Sequence, residues 1–290
     1  MHKLPNPADG MNLMNNTNPV RVIAVASGKG GVGKTNLSVN LGISLAQMGR
    51  KVVLLDADMG LANVDILLGM YPQFNLSHVL SGEKTLNEIM LNGPDGLRVI
   101  PGASGIQKMS ELSTFEQTAV VHAFSSLDQD LDVLIVDTAA GISAGVINFV
   151  RACQEVIVVV CDEPTSLTDA YAFIKLLNRD YGLTNFHIIT NMVKTIEQGE
   201  ALFRKLSKVT DHYLEVTLRF LGPVLFDENL RRSVQKQTPL VISYPVSKAS
   251  LAIRLIAKKI DAWPINFHSG SYIEFFIERM IQYDSQVGAS

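Results

Sequence analysis

Residues 28–35 read Gly-Lys-Gly-Gly-Val-Gly-Lys-Thr, the residue types and spacing of a phosphate cradle. In the pattern G-x-x-x-x-G-K-[ST], glycines let backbone N–H groups curl around phosphate oxygens. The last lysine reaches the β- and γ-phosphates, and the hydroxyl binds Mg²⁺. These roles fall to Gly28, Gly33, Lys34 and Thr35, with Gly30, Gly31, Val32 and Asn36 completing the contact set. The N-terminus of the next helix adds a positive dipole. Lys29 is one cation more than the cradle needs. Two acidic strand ends extend the chemistry. Leu131 to Gly141 places Asp137 at the end of an apolar run, and Val52 to Asp65 ends another with Asp56 and Asp58. Ligands of open parallel sheets bind at such carboxyl ends, where a carboxylate can hold a Mg²⁺ shell. Gly141 gives the loop after Asp137 room to move. Strand-end capping alone would explain one aspartate, but not this set beside a complete cradle.

The elements that must position these residues follow from patterning. Strands are expected at 21–26, 51–56, 97–100, 132–137, 155–161, 186–190 and 218–225, and an apolar helix at 36–48. Runs such as Val-Val-Leu-Leu (52–55) and Val-Ile-Val-Val-Val (156–160) suit strands buried on both faces. The expected fold is α/β: one doubly wound, mostly parallel sheet with helices on both faces. Capping boxes are expected at Ser113 with Glu116, Thr195 with Gln198, and Ser271 with Glu274. Residues 1–19, with three prolines and several asparagines, read as a flexible arm. Residues 20–264 form the main domain. At 271–284 an amphipathic helix is expected, with Tyr272, Ile273, Phe276, Ile277, Met280, Ile281 and Tyr283 on one half and Glu274, Glu278 and Gln282 on the other.

Composition removes several classes. A net charge of −3 over 290 residues argues against a bulk polyanion binder. Cys153 and Cys161 form no CxxC pair and are expected as buried thiols. The six histidines are scattered without metal-ligand spacing. The first residues lack a signal peptide's apolar core, and no apolar run reaches the ~20 residues of a membrane span. The expected location is the cytoplasm.

Residues 28–35 together with 56–65 and 137–141 resemble the deviant-Walker ATPases of the MinD/ParA family. Segments 60–65, 136–142, 161–171, 174–180 and 208–211, ending in Glu-Phe-Phe-Ile-Glu-Arg (274–279), resemble its flagellar-number regulators of the FleN/FlhG type. The resemblance implies a slow ATPase, with ATP and Mg²⁺ as ligands, that dimerises with ATP and is reset by hydrolysis. It implies that Lys29 crosses the dimer interface to the partner's phosphates. Lys34 and Asp58 complete the catalytic set, with Asp58 orienting the attacking water. Thr35, Asp58 and Asp137 form the metal set, and Asn191 reads the adenine edge with Asp227 as a second base-side residue. The implied output is a limit on flagellar number, through the master flagellar transcription activator (an AAA+ enhancer-binding protein) and the flagellar SRP-type GTPase. Departures stand at Gly-Pro-Val-Leu-Phe-Asp-Glu (222–228), where Pro223 has moved, and at 8–14, which keep only a trace of a GTPase-stimulating helix.

Alternatives stay open. One is a division-site or partition ATPase of the same family; another is a nucleotide-gated scaffold without turnover. The missing CxxC disfavours an iron–sulfur carrier. The terminal helix can bind a membrane weakly, dock on its own domain or meet a partner, and its acidic face weakens attraction to anionic lipid. Basic clusters at Arg204/Lys205/Lys208, Arg231/Arg232/Lys236 and Lys248/Arg254/Lys258/Lys259 read as solvated faces, and the acidic balance argues against direct DNA binding. Helices 166–181 and 195–213, around Phe203, Leu206 and Tyr213, are expected docking surfaces.

Overall fold

The computed structural model describes residues 20–58, 63–102, 123–124, 131–264 and 276–280. Among the described residues, eight strands form one sheet in the order β3-β4-β2-β5-β1-β6-β7-β8. They are β1 (Arg21–Ala26), β2 (Val52–Ala57), β3 (Leu91–Asn92), β4 (Arg98–Ile100), β5 (Val133–Thr138), β6 (Glu155–Cys161), β7 (Asn185–Val193) and β8 (Thr217–Leu225). All neighbours run parallel except the short edge strand β3. The expected strands are all present, most displaced by a single residue. β3 carried no periodicity, being two residues long.

Alternation along each strand splits the core in two. Val22, Ala24, Val53, Leu55, Leu134, Val136, Val156 and Val158 face one side, with Phe149, Phe173 and Ile174 from covering helices. Ile23, Val25, Leu54, Ile135, Ile157 and Val159 face the other with Leu37, Leu41, Ile253 and Ile256. Both faces are therefore covered, which parallel sheets require because each crossover helix must bury its own apolar stripe. The first face carries α3 (Leu76–Leu80), α4 (Leu86–Ile89), α5 (Ala144–Ala152), α6 (Pro164–Tyr181) and α7 (Ile196–Tyr213). The second carries α1 (Lys34–Gln47), α2 (Val64–Leu68), α9 (Leu240–Ser243) and α10 (Lys248–Asp261). Between β8 and α9 lies α8 (Glu228–Gln235).

Several expectations change in detail. Leu206, expected on a docking surface, is fully buried, and Phe203 stacks on Phe220 at 4.7 Å between ring centroids. Both belong to the apolar side of α7; Tyr213 alone of the three is exposed. The Thr195 box is half formed: its hydroxyl accepts from the Gln198 N–H at 3.1 Å, but the Gln198 side-chain Oε1 accepts from the Lys194 N–H instead of the Thr195 N–H. Complete boxes occur instead at Thr85–Glu88 and Asn75–His78. The boxes at Ser113 and Ser271, the arm 1–19 and most of 271–284 lie outside the described residues. At 276–280 the chain is helical, and Phe276, Ile277 and Met280 are buried in the first core cluster. Both cysteines are buried free thiols, and no described helix is long and apolar enough to cross a membrane.

Candidate nucleotide site

The parallel strands place their carboxyl ends at the same edge of the sheet as the loop after β1. Gly33 takes the left-handed φ of 88° that ends the loop and caps α1, a conformation costly for any residue with a Cβ. Gly28 is needed for a different reason: a Cβ there would overlap the backbone carbonyl of Asp169 in α6. Loop and helix approach each other too closely for any side chain.

Lys34 is buried, and burial lowers its pKa against the opposing pull of Asp137 and Asp58. Those two carboxylates and the lysine thus form one local field. Asp137 is wholly buried and pushed up to about 7. Burial is the main cause, the Ser38 and Thr35 hydroxyls pull it down, and Asp56 pushes it further up. Ser38 Oγ donates to Asp137 Oδ1 at 2.7 Å, while Asp137 Oδ2 has no hydrogen-bond partner among the described residues. A buried oxygen without a donor is costly, and a site that binds Mg²⁺ with Thr35 nearby would satisfy it. The residues present fit the metal.

Asp56 sits beside Asp137 in register across the β2–β5 pair. Burial raises it to about 6, against the backbone N–H groups of Asp58, Val64 and Asn63, which donate at 3.1–3.3 Å. Its role is to hold the loop that carries Asp58. The strand-end cluster signalled this residue, but not which aspartate faces inward.

Lys29 stands apart from its own cradle. Its ammonium donates to Glu163 Oε2 and, at 2.7 Å, to Thr165 Oγ1, both at the start of α6. The hydrogen bond to Glu163 is the main cause of its raised pKa. Nothing in the spacing of 28–35 points to Glu163 as a partner 134 residues away.

At the side where the base is expected, Asn191 is buried and its amide donates to the Val32 carbonyl at 2.8 Å. It therefore braces the phosphate loop as well as bordering a cavity of about 690 Å³. Asn36, Met192, Leu225, Phe226 and Asp227 line that cavity too. Asp227 caps α8 by accepting from the Asn229 N–H at 2.9 Å, and its second oxygen accepts from the Ala249 N–H at 3.3 Å. Both oxygens are thus committed to the backbone, and the altered loop 222–228 offers the cavity Leu225 and Phe226. The arrangement brings together Lys34, Thr35, Asp56, Asp58 and Asp137 at one end, Asn36, Asn191 and Asp227 at the other, and leaves Lys29 on the outer rim.

With that geometry in view, comparisons with known proteins agree. A ParA family model, described as NUBPL iron-transfer P-loop NTPase, matches residues 18–261. The chain is 52% identical over 273 residues to the antiactivator FleN of Pseudomonas aeruginosa, covering 94% of this chain and 98% of that one. It is 34% identical to the flagellum site-determining protein YlxH of Helicobacter pylori, over 94% of this chain and 96% of that one. The septum site-determining protein MinD of Pyrococcus horikoshii, solved with Mg-ADP, superposes with a TM-score of 0.66 at 25% identity, over 84% and 96% of the two chains.

Proposed function

The chain belongs to the ParA family of P-loop NTPases, within its flagellar-number branch, and from that premise we propose that it is an ATP-dependent dimerisation switch that limits flagellar number. Membership makes it an ATPase. The observation that carries the rest is the position of Lys29: a cation held by Glu163 and Thr165 on the rim, outside its own phosphate cradle.

In this reading Gly28 to Thr35 and Asn36 enclose the phosphates, Lys34 neutralises the β- and γ-oxygens, and the base enters the cavity between Asn191 and Phe226. Thr35, Asp58 and Asp137 would hold Mg²⁺, which would supply charge neutralisation at the phosphates. Asp58 orients the attacking water, positioned by the Asp56 hydrogen bonds to its loop. Lys29 leaves Glu163 and places its charge on the phosphates of a second copy, where charge develops during transfer. Dimer formation and slow turnover are thereby linked.

The output is restraint of the master flagellar transcription activator, in concert with the flagellar SRP-type GTPase. Support comes from the antiactivator name of the relative at 52% identity. We place the protein in the cytoplasm, peripheral on the inner membrane or at the pole when the 271–284 helix is free. A division-site role ranks second, favoured by the likeness to MinD at 25% identity.

Sedimentation with ATP, coupled to phosphate release, tests the switch. Lys34→Ala should lose ATP binding, whereas Lys29→Ala should bind ATP yet remain monomeric. A Lys29→Ala protein that dimerises and hydrolyses like the wild type would sink the proposal. Excess flagella in a deletion strain support the output; minicells move it to the second reading.

A further inference from the structure

The helix α10 buries Ala249, Ile253, Ile256, Ala257 and Ile260 against the sheet and α1. Its opposite side is bare. Leu251 is 49% and Leu255 60% exposed, and Val246, two residues before the helix, is 83% exposed. Lys248 and Lys258 are exposed as well. Positions 248, 251, 255 and 258 are spaced by three, four and three, so they share one stripe of the helix. The remaining charges of α10 are engaged. Arg254 donates to the Val241 carbonyl, Lys259 to the Leu221 carbonyl, and Asp261 pairs with Arg50. Among the charged side chains of α10, Lys248 and Lys258 alone have no hydrogen-bond or ion-pair partner among the described residues. Two leucines bracketed by two unpaired lysines thus face solvent on a chain whose net charge is −3.

We propose that this stripe docks an acidic amphipathic helix of a partner protein, one that presents two apolar residues four apart with Asp or Glu three residues outside each. Charge complementarity selects the partner's sign, because both bracketing groups are ammonium ions. Size selects its shape. The stripe from 248 to 258 is about 15 Å long at ~1.5 Å per residue, one helix in width. A lipid surface is a poorer match, since stable surface binding draws on a broad apolar face and several cations. A second copy is also a poorer match. The described part of this chain's own terminal amphipathic helix, 276–280, carries Glu278 beside Arg279 and has Phe276, Ile277 and Met280 buried in its own core. The surface lies on the face of the sheet opposite that segment.

The full-length protein is titrated with a labelled helical peptide carrying Glu-x-x-Leu-x-x-x-Leu-x-x-Glu and, separately, with its Lys-for-Glu counterpart. The acidic peptide should bind at least ~10-fold more tightly and weaken as salt rises. Leu255→Glu should abolish binding while ATP hydrolysis stays at the wild-type rate. The double variant Lys248→Glu/Lys258→Glu should reverse the preference between the two peptides. Equal affinity for both peptides, or unchanged binding by the Leu255→Glu protein, overturns the proposal. Two further measurements use the same variants. If Leu255→Glu reduces pelleting with phosphatidylglycerol vesicles, the stripe belongs to a membrane. If it reduces self-association in sedimentation, the stripe belongs to a second copy. Either result overturns the partner helix.

Discussion

Asp137 carries the tension of the site. It is buried with one oxygen unsatisfied, next to the buried Asp56, and both are pushed above the ordinary carboxylate range, to about 7 and about 6. A carboxyl whose folded-state pKa is raised favours folding when protonated. The contribution is full below the unfolded value near 4 and is lost as pH rises through 6 to 7. The nucleotide-free protein should therefore melt at lower temperature at pH 8 than at pH 5.5. Replacing Asp137 by Asn keeps the shape and removes the charge. A tenfold change in proton affinity corresponds to about 1.4 kcal/mol, so Asp137→Asn should stabilise the nucleotide-free protein at pH 8 by on the order of 1–3 kcal/mol. It should also flatten the pH dependence and abolish hydrolysis. Thermal melts from pH 5.5 to 8 check this, and an Asp137→Asn protein less stable at pH 8 than the wild type would refute it. Asp58→Ala should keep ATP binding and lose turnover by ~10²-fold or more, the usual scale for a group that handles the reacting proton. Equilibrium binding and phosphate release separate the two effects.

Strands place these residues, and strands were the most legible elements. β1, β2, β5 and β6 are continuous Val/Ile/Leu runs because both of their faces are buried, so run length alone locates them. Asp56 and Asp137 were legible as strand ends. What the sequence did not contain was the sheet order that sets β5 between β1 and β2. That order makes the two aspartates neighbours and adds the repulsion of Asp56 to the burial that raises Asp137. Long-range partners were equally hidden. The meeting of Lys29 with Glu163 depends on β1 pairing with β6, and the burial of Leu206 on where α7 lies over the sheet. The expected adenine reader Asn191 gained a second task from the same packing, since its amide holds the Val32 carbonyl. Two predictions belong here. Glu163→Gln weakens the tie on Lys29 and should shift the proposed ATP-driven dimerisation to lower ATP concentration, read by sedimentation across an ATP titration; a shift to higher ATP would contradict the tie. Asn191→Ala leaves a buried carbonyl without its donor and should cost about 1–3 kcal/mol, measured by denaturant unfolding without nucleotide.

At the scale of the whole molecule, the open question at the sequence level was where the terminal amphipathic helix rests. Its apolar and acidic halves were plain from the 3.6-residue period, but periodicity says only that a face must be covered, not by what. In the fold, Phe276, Ile277 and Met280 fill the core cluster that also contains Phe124, Phe149 and Phe173. This gives the helix an energetic stake in the domain. Fully burying such a side chain contributes about 1.5–3 kcal/mol, offset in part by the entropy of ordering the segment. Ending the chain at Ser269 should then lower stability by several kcal/mol and expose an apolar surface that binds a hydrophobic dye. Leaving the domain for a lipid surface would carry the same cost, so vesicle binding by the full-length protein should be weak unless ATP-driven dimerisation supplies two helices at once. Thermal melting of the truncated protein and pelleting with anionic vesicles in ATP and in ADP test both halves. A truncated protein as stable as the full chain would mean that docking contributes nothing. Equal pelleting of the truncated and full-length proteins would remove the helix from membrane contact altogether.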